Sequence, residues 1–339
     1  MKLPERQVQV WRDVDPESFA RDVVPGHRPA VLKGLVKDWP AVAAASASPH
    51  AACDYLARFY RGAPVEAFVG PPDIKGRFFY RPDMAGFNFE RKRARLTDFL
   101  SYLTSRSGEA ERPALYVGAS GIAETLPGFE DANALDLVAD RPAVPRIWIG
   151  NDITVTTHFD LSDNIACVVA GRRRFIVFPP DQLPNLYVGP LDHTMAGQPA
   201  SMVSATDPDL ETYPRFAEAL EAAEVAELEP GDAIYIPSLW WHHVDSLDPF
   251  NILVNYWWDD APADAGSPFE AMAHGILTIA SLPAHKREQW RILFDHYVFR
   301  RNGDPAEHLP PEHRGILGAS TPQLRARMKQ FLLRALGRP

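Results

Sequence analysis

The spacing of apolar residues along this chain changes twice. Near the N-terminus short helical and extended pieces alternate. Asp15 ahead of Pro16-Glu17-Ser18-Phe19 predicts a helix start, with proline at the first helical position, where its missing N–H costs nothing. Pro29 to Gly34 predicts a strand ending at a glycine, and Leu96, Phe99, Leu100 and Leu103 share one face of a predicted helix. From about residue 114 the texture becomes β. Leu115–Val117, Arg146–Ile149, Thr154–Asp160, Asn164–Val169, Phe175–Phe178, Ala233–Ile236 and Ile252–Trp257 are rich in β-branched and aromatic residues and bounded by Gly, Pro, Asn or Asp. Many short strands with turn signals predict a sandwich or barrel, of which the double-sheet jelly roll is one form. After Pro262 helical spacing returns. Ser267-Pro268 opens one helix and Thr321-Pro322 the last, where Leu324, Met328, Phe331, Leu332 and Ala335 form a stripe closed by Gly337. That stripe needs a partner surface, and a second copy of the protein is a natural candidate.

Composition narrows the class. At 339 residues and 46% hydrophobic the chain is long enough for one large domain or two, with a core that needs no staple. Its two cysteines, Cys53 and Cys167, exclude a disulfide scaffold and a cysteine-built zinc finger. The 32 prolines and 21 glycines favour a turn-rich β fold over a helix bundle. Residues 281–339 hold 11 basic and 5 acidic side chains, or +6, so the total of −9 leaves −15 on residues 1–280. An acidic body argues against a general nucleic-acid binder, and no clear nucleic-acid footprint is expected. No apolar run approaches 18 residues and the start lacks an apolar signal core, so no membrane segment is expected and a cytoplasmic location is.

Two motifs carry candidate chemistry. In Thr156-Thr157-His158-Phe159-Asp160, His158 and Asp160 are two apart on a predicted strand and share a face, so both could reach one metal ion. The bare pattern is weak, since it recurs at His243-Val244-Asp245. The stretch Gly231 to His242 is stronger: glycine, five residues, proline, four residues, histidine, as in the second cupin motif. Pro230-Gly231-Asp232 makes a tight turn, Ala233–Ile236 a strand, and Pro237 limits pairing before the chain re-enters with a histidine. The spacing selects His242 over His243, and neighbours on a strand face opposite ways. His158, Asp160 and His242 together make a two-histidine, one-carboxylate set that leaves three positions open on octahedral iron(II). Zinc with one water is the competing use of the same donors.

These motifs, with Phe87-Asn88-Phe89, Leu115-Tyr116, Gly171 to Pro180, Asn255-Tyr256-Trp257 and Pro29 to Trp39, resemble the cupin-like branch of the JmjC oxygenases. Within it the asparaginyl hydroxylase that inhibits hypoxia-inducible factor is the likest in pattern. The resemblance implies a mostly-β fold with helices, a double-stranded β-helix (jelly roll) over residues 111–260. Helices and strands of residues 1–110 would pack on it, and a helical C-terminal region, 261–339, would form a homodimer. It implies Fe(II) held by His158, Asp160 and His242, with 2-oxoglutarate as cosubstrate. The family binds the far carboxylate of 2-oxoglutarate with a tyrosine, matched by Tyr116, a threonine three before the first histidine, and a lysine two after a glycine. Arg173 stands at the lysine position; a guanidinium grips carboxylates bidentately and stays charged when buried. Arg172, Arg173 and Arg174 also read as a solvated run, but Arg173 shares the parity of Phe175 and Val177. Val155 stands at the threonine position, so Thr156, two before His158, is taken for that role, narrowly ahead of Thr157, with a local bulge shifting the register. Asn164 and Asn255 match asparagines near the cosubstrate, and Trp257 an aromatic at the site wall. His193 reads as a surface-loop residue.

The implied activity is a hydroxylase of a protein side chain, peptide or small molecule, its substrate unidentified. The departures at Arg173 and Val155 keep open a metal-binding cupin enzyme without 2-oxoglutarate. A non-catalytic cupin-like binding protein is the third reading, and the complete donor set counts against it.

Overall fold

The computed structural model describes residues 3–195 and 197–337. Fourteen strands are described: Arg6–Gln7 (β1), Gln9–Arg12 (β2), Ala30–Lys33 (β3), Pro64–Gly70 (β4), Glu90–Arg95 (β5), Ala114–Gly121 (β6), Val144–Gly150 (β7), Thr154–Phe159 (β8), Asp163–Ala170 (β9), Arg173–Phe178 (β10), Glu224–Leu228 (β11), Ala233–Ile236 (β12), Trp241–Ser246 (β13) and Asn251–Trp258 (β14). They form a five-stranded sheet, β1-β11-β10-β13-β8, and a nine-stranded one, β2-β3-β12-β9-β14-β7-β6-β4-β5. Pairing is antiparallel except for β1 with β11 and β2 with β3. This is the cupin-like double-sheet fold, and each strand named from the sequence is present within four residues of its expected ends.

Period-2 alternation sorts the strands' side chains. Val168, Phe175, Val177, Ile234, Ile236, Val244 and Leu253 meet between the sheets. The opposite parity of the large sheet, Ile165, Cys167, Val169, Tyr235, Ile252 and Val254, packs against helices on its outer face. Burial on both faces explains why β9 reads as an unbroken apolar run. The covering helices include Pro40–Ala47, Pro49–Phe59 and Leu96–Ser105, the last burying Leu96, Phe99, Leu100 and Leu103. Ile176, Phe178, Val225 and Trp241, on the outer face of the small sheet, pack with Leu186, Phe216 and Ala219.

At Asp15 the expected start is there: its carboxylate accepts from Ser18 N at 2.7 Å and the Ser18 hydroxyl reciprocates. The helix it opens lasts only Pro16–Ser18 before widening into a π turn, Phe19–Val23. Strands β1, β2, β4, β5 and β11 were not foreseen. β5, ERKRAR, is a charged edge strand without apolar alternation. At Gly171, φ is +69° and an added Cβ would meet Asn251 Oδ1 at 2.2 Å, so the tight β9–β10 turn requires glycine.

The chain divides into two compact units, residues 1–259 and 260–339. Strands β1–β5, from the first 110 residues, are hydrogen-bonded into the same two sheets as the later strands. The second unit holds helices Pro268–Ile279, Ala284–Tyr297 and Pro322–Leu336. Ser267 and Glu270 cap the first with a reciprocal box. Leu277, Phe299, Phe331 and Leu333 stand exposed in this unit. Among the described residues no helix is long and apolar enough to cross a membrane.

Candidate metal centre

β8 and β13 are antiparallel neighbours, and His242 pairs directly opposite His158. Their rings lie 4.3 Å apart, centroid to centroid. Asp160 follows the end of β8 and turns in beside them, its Oδ2 3.7 Å from His242 Nε2. The ligand atoms of His158, Asp160 and His242 all lie within 4.8 Å of one another. Backbone bonds join the two carriers: Leu239, at φ +66°, donates its N–H to the Asp160 carbonyl at 2.9 Å. An αL leucine is a strained choice that persists only where its surroundings hold it.

The two imidazoles are oriented for a cation. His158 Nδ1 lies 2.9 Å from Thr156 O and His242 Nδ1 lies 3.1 Å from Trp240 O. A carbonyl only accepts, so each Nδ1 carries the proton and each Nε2 offers a lone pair. Burial, and His158 beside it, push the His242 pKa down to about 4, so the ring is neutral at pH 7. Asp160 Oδ2 receives Trp257 Nε1 at 3.1 Å and Asn164 Nδ2 at 3.3 Å. Asn255 Nδ2 in turn donates to Asn164 Oδ1 at 3.1 Å, and Trp148 Nε1 to Asn255 Oδ1 at 2.6 Å. This relay steers one carboxylate oxygen. Two imidazoles that turn Nε2 toward one point, with a carboxylate beside them, fit a divalent metal with open positions opposite.

His243 turns the other way. It is buried, and its Nε2 meets Asp245 Oδ1 at 3.0 Å, while Asp245 also accepts from the Thr154 hydroxyl at 2.8 Å.

An inner chamber opens from the donor set, lined by Tyr116, Trp148, Val155, Asn164, Arg173, Asn255 and Trp257 among others. Arg173 is 2% exposed, and its Nε and one Nη have no partner. Its flanking arginines face out: Arg172 pairs with Asp248 at 2.9 Å and Arg174 with Glu227 at 2.7 Å. A one-residue slip of β10 would turn both of them inward and carry Phe175 and Val177 out of the core between the sheets, where each is worth about 1.5–3 kcal/mol buried, so the apolar pair holds Arg173 inward. Burial lowers the Arg173 pKa to about 10, which leaves it cationic at pH 7. Burial likewise raises the Tyr116 phenol, whose ring stacks between Phe78 and Trp148 at 6.1 and 5.9 Å. A carboxylate is the complement such an enclosed guanidinium lacks.

Register shifts between His242 and Val244, so that Thr156 and Thr157 together oppose His243. Val155 consequently lines the inner chamber. Thr156 is buried on the wall of an outer cleft, its hydroxyl donating to Phe78 O at 3.3 Å. Thr157 is buried with its hydroxyl unpartnered.

That outer cleft, of about 570 Å³, reaches His158 and Asp160 from solvent and has aromatic walls, including Phe68, Phe78, Phe89 and Trp148. Two segments roof it. Residues 197–202 bridge to β8 through Ala200 and His158, and residues 187–195 meet the turn of residues 77–91. There His193 stacks on Phe87 at 5.0 Å, its carbonyl takes the Tyr80 hydroxyl at 2.5 Å, and Arg91 donates to Met195 O. No local spacing announced this clasp.

The chain matches the cupin-like domain family over residues 16–264. It belongs to that family. Among cupin-like and JmjC-type relatives it is 28% identical over 284 residues to the tRNA wybutosine-synthesizing protein 5 of Danio rerio, covering 76% of this chain and 77% of that one. It is 26% identical over 271 residues to the human bifunctional peptidase and (3S)-lysyl hydroxylase JMJD7, covering 72% and 81%. It is 34% identical over 133 residues to the lysine-specific demethylase JMJ31 of Arabidopsis thaliana, covering 39% and 22%. A cupin-like barrel with two opposed histidines thus accounts for the donor pair on β8 and β13.

Proposed function

We propose that this cupin-like chain is an iron(II)- and 2-oxoglutarate-dependent dioxygenase that hydroxylates a protein side chain, a peptide or a small molecule. The observation that carries the reading is Arg173: a buried cation with two unpartnered nitrogens, facing the chamber that the His158, Asp160 and His242 donors also face. His158, Asp160 and His242 would hold the metal, which when bound supplies oxygen activation through its open positions. Arg173, with Tyr116 beside it, would bind the far carboxylate of the cosubstrate. Asn164, Asn255 and Trp257 keep Asp160 aimed, and the aromatic walls with the roof of residues 187–195 and 197–202 limit water at the reacting atoms. Thr156 faces the outer cleft, so its part in cosubstrate binding is proposed as secondary. The lysyl hydroxylase and the demethylase among the relatives support oxidative chemistry on this fold.

An anaerobic titration of apoprotein with iron(II) and then 2-oxoglutarate, followed by visible absorption, tests the reading. A weak charge-transfer band that needs both and disappears in His158→Ala is the expected result. Iron uptake without the band favours a metal-binding cupin enzyme that does not use 2-oxoglutarate, the alternative for which Val155 and Arg173 speak. No metal uptake leaves a non-catalytic cupin-like binding protein. We further propose a cytoplasmic homodimer joined through residues 261–339, whose three long helices bury none of their own residues.

A further inference from the structure

We infer that the outer cleft takes a planar, apolar carboxylic acid, its acid group held by Arg146 and its body lying along the aromatic walls toward His158 and Asp160. The inference rests on the oxygenase reading only in naming this ligand the substrate.

Four observations carry it. Arg146 lines the cleft half-buried; its Nη1 donates to Ala119 O at 3.0 Å, and its Nε is enclosed without a partner. Among the described residues no carboxylate lies within ion-pair distance of it. Arg91, the other arginine of the cleft, is already engaged, with Glu66 at 3.8 Å and with Met195 O. Arg146 is therefore the cleft's unmatched positive charge.

The guanidinium is also held in place. It lies over the Trp257 ring at 5.5 Å, and the N–H of that same indole bonds Asp160 Oδ2. An acid on Arg146 is thus one indole away from a metal ligand. On its other side Ala119 sits at φ +48°, where the β6–β7 register shifts between Val117 and Ser120. An alanine in that left-handed conformation is uncommon, and here it aims the carbonyl that fixes Arg146.

The class of ligand follows from the lining. Phe68, Phe78, Phe89, Tyr116, Trp148 and Trp257 offer ring faces and edges to a flat body. A cleft of about 570 Å³ is the size of a small-molecule site. One guanidinium matches one acid group, whereas Glu66, Asp160 and the −15 charge of residues 1–280 repel a polyanion such as RNA. Arg173 is a separate receptor: it lines the inner chamber, and Arg146 does not.

Calorimetry on full-length protein loaded with manganese(II), which does not turn over, tests this. 2-Oxoglutarate is titrated first, so that Arg173 is engaged, and then indole-3-acetate or its neutral amide, indole-3-acetamide. The acid is expected to bind wild type about tenfold or more tightly than the amide, as a charge-assisted pair should. Arg146→Gln is expected to erase the preference while binding 2-oxoglutarate within about twofold of wild type. Equal binding of acid and amide, binding of neither, or a preference that survives Arg146→Gln overturns the inference. Should Arg146→Gln not fold, the acid–amide comparison in wild type still decides. No uptake of 2-oxoglutarate by wild type sinks the oxygenase reading instead. The acid and amide are then compared on the manganese form alone, where the Arg146→Gln result separates the two arginines.

Discussion

Arg173 is enclosed, charged and short of partners at two nitrogens, a combination that costs stability until a ligand relieves it. Arg173→Met keeps an apolar stem among Phe175, Val244 and Leu253 and removes the unpartnered charge. Chemical denaturation should show the variant as stable as wild type or more stable by about 1–3 kcal/mol. Its affinity for 2-oxoglutarate should fall about 100-fold, as when a charged hydrogen-bonded pair is lost. A destabilised variant that still binds would mean the guanidinium serves packing. His242 yields a pH prediction for the metal-free protein. The unfolded imidazole takes up its proton near 6.5 and the folded one only near 4. The unfolded state therefore binds more protons between those values, and stability present above pH 6.5 is lost as pH falls toward 4. In urea titrations the stability of wild type relative to His242→Gln should drop by about 2 kcal/mol from pH 7 to pH 5. A difference that stays level would contradict a neutral buried ring. The three metal donors were legible because each sits in a short motif with a fixed stride. Arg146 was not: its distinction is a missing counter-ion, which only the folded neighbourhood reveals.

Elements explain why the stride works. Strand β12 ends at Ile236, the Pro237–Trp240 turn reverses the chain, and β13 delivers His242 opposite His158. The extra residue in β8 lets Val155 and His158 both reach the interior, a departure from strict alternation that the sequence allowed for only as a possible bulge. Helices on the outer face of the large sheet are tied to one another through a buried polar brace at Asn133. Its Oδ1 accepts from Ala41 N at 3.0 Å, and its Nδ2 donates to the Tyr55 hydroxyl and Phe129 O, both at 2.9 Å. Asn133→Ala strands these groups in an apolar layer, so a loss of about 2–4 kcal/mol is expected in urea unfolding, with metal affinity unchanged. An effect below 1 kcal/mol would show that water reaches the brace. The helices Pro40–Ala47 and Pro49–Phe59 and strands β4 and β5 escaped the sequence reading. The first is apolar on most faces, so no stripe marks it, and β5 is charged at five of its six positions, as suits a sheet edge.

At the scale of the molecule, the C-terminal unit presents Leu277, Trp290, Leu293, Phe331 and Leu333 to solvent. Scattered exposed apolar residues need no explanation, but this many on three helices point to an interface, and a second copy is the proposed occupant. Light scattering at micromolar concentration should give twice the chain mass of 37.8 kDa. Phe331→Glu with Leu333→Glu should halve that value, and a monomeric wild type would end the proposal. What the sequence determined alone is whatever depends on neighbours along the chain. Alternation set which strand faces turn inward, and a glycine–proline–histidine stride set which of two adjacent histidines joins the donors. Parity with Phe175 and Val177 turned Arg173 into the barrel. Tertiary structure alone decided what depends on distant segments meeting: the clasp of Tyr80 and Phe87 on His193, the relay from Trp148 to Asp160, and Arg146 stacked on Trp257 without a counter-ion. Apart from the Asn164–Asp160 link, those contacts join residues tens of positions apart or more, and no local period encodes them. They form because packing of the two sheets brings the central strands β9, β14 and β7 and the loops around Tyr80 and His193 to one mouth.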